Sequence, residues 1–215
     1  MAFKQGRAMI RAFLAVNLSE PLRTNLTKLH SEMKQRLGRE LSKNIRVSWV
    51  QPSSLHLTVK FLGDIDEQLV APMQKAMENV LSSHRVVEIP LDRLGVFPRL
   101  QQPRVLWVGP LELWEKSHEA ARVDSLHRAV DDCCSSLNLA PDTRPLSPHL
   151  TLARIKEGER DFGQILARSG LLDKPLSVGS MTVDAIDLMK SELKPTGSVY
   201  TRLWEVKLDG SGLRG

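Results

Sequence analysis

The chain has 215 residues, 41 % of them apolar, which suffices for one large domain or two closely packed lobes around a sizeable core and excludes an unstructured chain. Thirty basic against 25 acidic side chains give a net charge of +5, a balance that favours an anionic partner such as nucleic acid or a nucleotide without requiring one. The only two cysteines, Cys133 and Cys134, are chain neighbours that cannot form an ordinary structural disulfide, and no apolar run reaches membrane-spanning length, so a protein of the cytosol with no membrane attachment is expected.

Residues 1–7 lead directly into a strand-like apolar run, Met9 to Val16, rather than forming a signal peptide. Asn17 to Pro21 supplies a turn and a helix cap, and Leu22, Leu26, Leu29, Met33 and Leu37 recur at helical spacing until Gly38. A short strand follows over 45–50, then a Pro-Ser break, then the strand His56-Leu57-Thr58-Val59-Lys60-Phe61-Leu62, which Gly63-Asp64 is expected to close. Leu69, Met73, Met77 and Val80 or Leu81 mark a second helix with Pro72 in its first turn. Strands are predicted over 86–91, 94–98 and 104–109, with a hairpin-like loop between Pro98 and Pro103.

Val123, Leu126, Val130, Cys133 or Cys134, and Leu137 form the stripe of a third helix, in which the cysteines read as reduced core residues. After Leu139 to Asp142 comes a second histidine strand, His149-Leu150-Thr151-Leu152-Ala153-Arg154-Ile155, and then a short helix carrying Phe162, Ile165 and Leu166. Strand character resumes at 176–178, 181–188 and 199–206, with a turn at Lys194-Pro195-Thr196-Gly197 and a loose Gly210-Ser211-Gly212 tail. Strand, helix, strand thus occurs around each histidine motif. The expected fold is α+β, a duplicated bilobal unit within one domain over 1–215, with two mainly antiparallel sheets facing a central cleft and helices outside.

The tripeptide His-Leu-Thr at 56–58 returns 93 residues later at 149–151. Side chains alternate along a strand, so His56, Thr58 and Lys60 share one face, as do His149 and Thr151. A lone strand histidine is more often structural than catalytic, but the same polar pair twice, each after a Pro/Ser-containing approach, points to a shared surface. In-line displacement at phosphorus needs one group to take a proton and another, opposite, to give one. Imidazole titrates near neutrality and can do either. The threonine hydroxyls can donate to non-bridging phosphate oxygens, and Lys60 can add positive charge. Such a site needs no metal and no other cofactor. A catalytic zinc site would want three protein ligands, and neither His-Glu-x-x-His nor a Gly-x-Ser-x-Gly elbow is present. His30, His84, His118 and His127 have no repeated partner and read as surface or capping residues.

Together with Phe61-Leu62-Gly63, Leu94 to Pro98, Arg104 to Trp107 and Ser191-Glu192-Leu193, the paired motifs resemble the 2H phosphoesterase superfamily, and within it the RNA 2',3'-cyclic phosphodiesterase family, also called 2'-5' RNA ligase, from about Arg11 to Leu208. The resemblance implies two histidines facing each other in a groove, acting on RNA ends or cyclic nucleotides to turn 2',3'-cyclic phosphates into 2'-phosphates, and it allows for reversible 2'-5' joining. By that likeness His56 is the general acid and His149 the base, an assignment the symmetry of the motifs does not decide. It also implies a base-stacking role for Phe13, for which core packing is an equal alternative, and a phosphate contact for Arg154. Arg154 lies an odd number of residues after His149, so it joins the site only where a bulge or strand end near Ala153 turns it round. A monomer is the expected state. The competing reading is a noncatalytic RNA-binding module using the same groove.

Overall fold

The computed structural model describes residues 8–195 and 197–209; residues 1–7, Thr196 of the predicted turn and the Gly210-Ser211-Gly212 tail lie outside the described residues. The chain runs β1 (Met9–Asn17), α1 (Glu20–Gly38), β2 (Arg46–Trp49), β3 (His56–Asp66), α2 (Val70–Leu81), β4 (Val87–Pro90), β5 (Arg93–Phe97), β6 (Val105–Gly109), α3 (His118–Ser136), β7 (Leu150–Glu157), α4 (Glu159–Ser169), β8 (Ser180–Val183), β9 (Ala185–Lys194) and β10 (Gly197–Lys207).

The fold is α+β, as expected. Strands β10, β9, β1 and β3 form one antiparallel half of the main sheet, and β7, β6 and β5, with β2 on the other side of β7, form the second. The halves join through one pair, Leu57 opposite Leu150, the central residues of the two His-Leu-Thr motifs. A small second sheet pairs β4 with β8. Helix α2 packs on β10 and α3, while α4 packs on β7 and α1. One continuous apolar cluster, including Leu14, Leu26, Met33, Met77, Leu106, Val130, Leu152 and Phe162, fills the space between sheet and helices. Alternation explains how each histidine strand serves both layers: its leucines enter that cluster and its polar residues face away from it.

The structure departs from expectation at several places. Gly63 does not end β3, which continues to Asp66; its φ of +72° carries the strand through an irregularity opposite Ala12 and Phe13. The segment 181–188 is two strands, β8 and β9, parting at Asp184 to join different sheets, and 176–178 is not a strand. His30 and His127 are not surface residues. His30 lies on the inner face of α1, edge-on to Trp49 at 5.2 Å, and His127 lies on the inner face of α3 against Asp142. Cys133 and Cys134 are buried in α3 with free thiols, and burial first, with the neighbouring Cys133 adding to it, pushes the Cys134 thiol up to about 12. Among the described residues, no helix is long and apolar enough to cross a membrane.

Candidate active site

His56, Thr58, His149 and Thr151 come together around one groove of about 200 Å³, where Phe13, Phe61, Arg154, Ser191, Tyr200 and Arg11 also line the wall. The two histidines are suspended in the same way. Nδ1 of His56 lies 2.8 Å from the Ser54 carbonyl oxygen and Nδ1 of His149 lies 2.7 Å from that of Ser147, each two residues upstream. A carbonyl can only accept, so the neutral ring carries its proton on Nδ1 and leaves Nε2 as the atom able to exchange one. The Pro/Ser approach to each motif supplies those carbonyls.

Aromatic rings back both imidazoles. Phe13 and Tyr200 lie 4.8 and 5.2 Å from His56, and Phe97 and Trp107 lie 5.0 and 6.2 Å from His149. These walls take water from the rings and so disfavour imidazolium. Burial holds His56 below the ordinary histidine range, with Arg154 and His149 adding to the effect and the Ser54 carbonyl opposing it. His149 is lowered by burial and by Arg154, against the Ser147 carbonyl.

The register of the strands decides the remaining residues. Along β7, Leu106 of β6 faces Ala153 but the next residue, Trp107, faces Thr151, so Leu152 is an extra residue. Leu152 and Ala153 both enter the core, and Arg154 emerges exposed on the groove side with Thr151. That bulge meets the condition the sequence set for Arg154. The same irregularity in β3, where Leu14 faces Lys60 and Ala15 faces Thr58, makes Val59 the extra residue. Lys60 therefore turns inward instead of joining the groove, which corrects its placement there: only 2 % of it is exposed. Its ammonium lies 2.5 Å from Asp131 Oδ1 and 3.3 Å from Asp142 Oδ1. Burial by itself would lower its pKa; the two carboxylates outweigh that and hold it above its ordinary value. Asp142 N–H donates to Asp131 Oδ1 at 3.0 Å, and His127 Nε2 lies 3.2 Å from Asp142 Oδ2, so the network ties β3 to α3 and to the loop that leads into His149.

Phe13 is buried rather than open to a stacking base. It belongs to a small cluster with Ala15 and Met189, and Tyr200 packs against it edge-on at 5.1 Å. The accessible aromatic is Phe61, 69 % exposed on the same wall. Reasoning from alternation passed over Phe61 because a regular strand would turn it inward. Tyr200 and the Phe97–Trp107 stack were missed because only the folded register brings β5, β6 and β10 beside the histidines.

Comparison with known proteins agrees with this architecture. The chain is 32 % identical over 192 residues to the RNA 2',3'-cyclic phosphodiesterase of Methanothermobacter thermautotrophicus, covering 89 % of this chain and 95 % of the relative. It is 29 % identical over 203 residues to the protein of that name from Aquifex aeolicus, covering 94 % and 99 %. A crystal structure of a Thermus thermophilus protein superposes with a TM-score of 0.70 at 25 % identity over 94 % of this chain and 100 % of that one, and Escherichia coli LigT in its apo form shares the fold at a TM-score of 0.68 and 19 % identity, over 94 % and 98 %. The family described as LigT like phosphoesterase matches residues 16–107 and 115–200, one stretch through each histidine motif, and the chain belongs to that family of the 2H superfamily.

Proposed function

We propose that this protein hydrolyses the 2',3'-cyclic phosphate of RNA ends or nucleotides to a 2'-phosphate, with His56 and His149 as the general acid-base pair. The observation that carries the reading is the matched suspension of the two imidazoles on one groove, each with Nδ1 held by a carbonyl and a threonine two positions on. The relatives' name, RNA 2',3'-cyclic phosphodiesterase, supports the substrate class.

In the proposed step His149 Nε2 takes a proton from water as its oxygen bonds to phosphorus, and His56 Nε2 gives a proton to the departing 3' oxygen, so the P–O3' bond breaks and the 2' linkage remains. The roles of acid and base follow the family likeness. Thr58 and Thr151 donate to the non-bridging oxygens, and Arg154 offsets the charge that gathers there. Arg154 serves protonation too. In the free protein burial holds both histidines down and Arg154 adds to it; a bound phosphate offsets the guanidinium charge and removes that addition, which favours imidazolium when there is a leaving group to protonate. Replacing water by the 5' hydroxyl of a second RNA gives 2'-5' joining by the same displacement: His149 takes the proton of that hydroxyl as its oxygen bonds to phosphorus, and His56 protonates the departing 3' oxygen. Phe61 is the surface on which the terminal base stacks.

Incubating the protein with 2',3'-cyclic nucleotides in EDTA and resolving the 2'- from the 3'-phosphate tests the reading. A 2'-phosphate product is expected. A 3'-phosphate reverses the leaving group, and binding without turnover indicates the noncatalytic module instead.

A further inference from the structure

Beyond the histidine groove, β7 continues as a row of exposed cations. Arg154 and Lys156 flank buried Ile155 and so share a face. Arg104 lies beside them, its carbonyl accepting from the Ile155 N–H at 3.0 Å. Past Arg104, two adjoining cavities of about 540 and 530 Å³ open between the β5–β6 loop and the start of α4, and both are lined by Arg99, Gln102 and Arg160. The wall of the second is tight, because a Cβ on Gly163 of α4 would overlap the Leu100 carbonyl. Among the described residues, no carboxylate lies within ion-pair distance of Arg99, Arg154, Lys156 or Arg160, and Arg104 reaches Glu159 only at 4.0 Å. Arg11, the other arginine on the groove wall, is answered by Asp64 at 3.8 Å.

We propose that this tract, from Arg154 through Arg104 to Arg99 and Arg160, is a second binding site that holds the sugar-phosphate backbone of single-stranded RNA upstream of the cyclic end, which presupposes that the groove acts on an RNA end. A 2',3'-cyclic phosphate occupies the last ribose, so the strand can leave the site only on its 5' side and needs one track, not two. Arg154 itself lines the histidine groove, so the tract begins beside the reacting phosphate and leads away from it through Lys156 and Arg104. Guanidinium groups without carboxylate partners fit phosphodiester oxygens, and the Gln101, Gln102 and Gln164 amides beside them can hydrogen-bond ribose hydroxyls or base edges without selecting a sequence. A cyclic mononucleotide fills only the histidine groove.

The test compares the wild-type protein with the surface variant Arg99→Ala/Arg104→Ala/Arg160→Ala. Turnover is measured on a 2',3'-cyclic mononucleotide and on a single-stranded RNA of about twelve nucleotides with a 2',3'-cyclic end, and binding of the same RNA, labelled at its 5' end, is followed by anisotropy. The variant should bind the RNA at least about tenfold more weakly, lose a similar factor in kcat/KM on it through KM, and keep mononucleotide turnover within about twofold. Three fewer phosphate contacts should also flatten the slope of log affinity against log salt by about 2. Unchanged RNA binding, as expected if the tract served an acidic protein partner, or equal loss on both substrates, overturns the proposal. If the wild type turns over neither substrate while the variant still loses RNA affinity and salt slope, the tract stands and the phosphodiesterase reading fails.

Discussion

Phe61 on β3 and Arg154 on β7 occupy the same place in the repeat, each five residues after its histidine and each brought to the groove by a one-residue bulge. The duplicated backbone presents two equivalent positions to one ligand, and the side chains there differ in kind: a flat apolar ring on one wall, a guanidinium on the other. A nucleotide has the same asymmetry, with a base at one end and a phosphate at the other.

Substitution at these two positions should therefore affect different parts of the substrate. Arg154→Ala should lower kcat/KM about 10- to 100-fold on any cyclic phosphate, the worth of a charge-assisted hydrogen bond. Phe61→Ala should raise KM by a similar factor, since stacking on an aromatic ring is worth about 1–3 kcal/mol per base, while kcat holds. Steady-state kinetics on two cyclic nucleotides checks both, and an Arg154 effect confined to KM for one base would count against its phosphate role.

His56→Ala and His149→Ala should each reduce kcat by about 100- to 10,000-fold with substrate affinity largely kept. Binding of a 2'-nucleotide, measured calorimetrically, separates this from loss of structure. Turnover that survives both substitutions removes the two-imidazole mechanism.

Both histidines titrate below their ordinary value, so kcat/KM of the free protein should peak below pH 6.5 and fall as the acid loses its proton above it. Because Arg154 contributes to the lowering of both, the Arg154→Ala profile should move toward higher pH. A profile that stays in place would show that the guanidinium does not reach the imidazoles electrostatically.

His30 provides a separate pH signature, in stability. Its pKa is lowered by burial first and by Lys34, so the folded state holds it neutral while the unfolded chain takes up a proton near 6.5. Its contribution is present in full above that value and is lost as the pH falls through the folded-state value. Thermal denaturation at descending pH should show this loss, and His30→Leu, which also removes the unpartnered buried Nε2, should flatten it.

The order of elements, both histidine strands and the core stripe of each helix were legible from spacing, since alternation and helical periodicity are local properties. What could not be read locally was the phase of the strands beyond each threonine. One extra residue at Val59 and one at Leu152 reversed the parity on which Lys60 was placed in the groove, and supplied the turn that Arg154 required. His30 and His127 fall in phase with the apolar stripes, each four residues after one core position (Leu26, Val123) and three before the next (Met33, Val130), so spacing did mark them as buried; their partners, Trp49 and Asp142, lie 19 and 15 residues away and meet them only in the fold.

Lys60→Met should destabilise the protein by about 3 kcal/mol, toward the lower end for a broken buried pair, because Asp142 keeps 34 % of its side chain exposed and can be hydrated. The double variant Lys60→Met/Asp131→Leu should recover part of that loss by removing one stranded carboxylate. Hydrogen exchange should increase in the loop before His149, and kcat should fall more than KM rises, since the Ser147 carbonyl that fixes the ring belongs to that loop. Protection unchanged there would mean that the network supports only β3 and α3.

Gly95 tests whether the aromatic wall matters to His149. A Cβ at this position would overlap the Trp107 ring, which fits flat against the bare backbone of β5, stacks on Phe97 at 5.1 Å and is covered by the Arg93 guanidinium at 5.3 Å. Gly95→Ala must push the indole aside, at a cost of about 1–3 kcal/mol for overpacking. Displacing it also admits water to one side of the imidazole, so the His149 pKa should rise toward its ordinary value while that of His56, walled by Phe13 and Tyr200, stays where it is. Titration of the two ring resonances by NMR distinguishes them: a rise at His149 alone supports the wall as the source of its low pKa, and equal movement at both would place the cause in Arg154 instead.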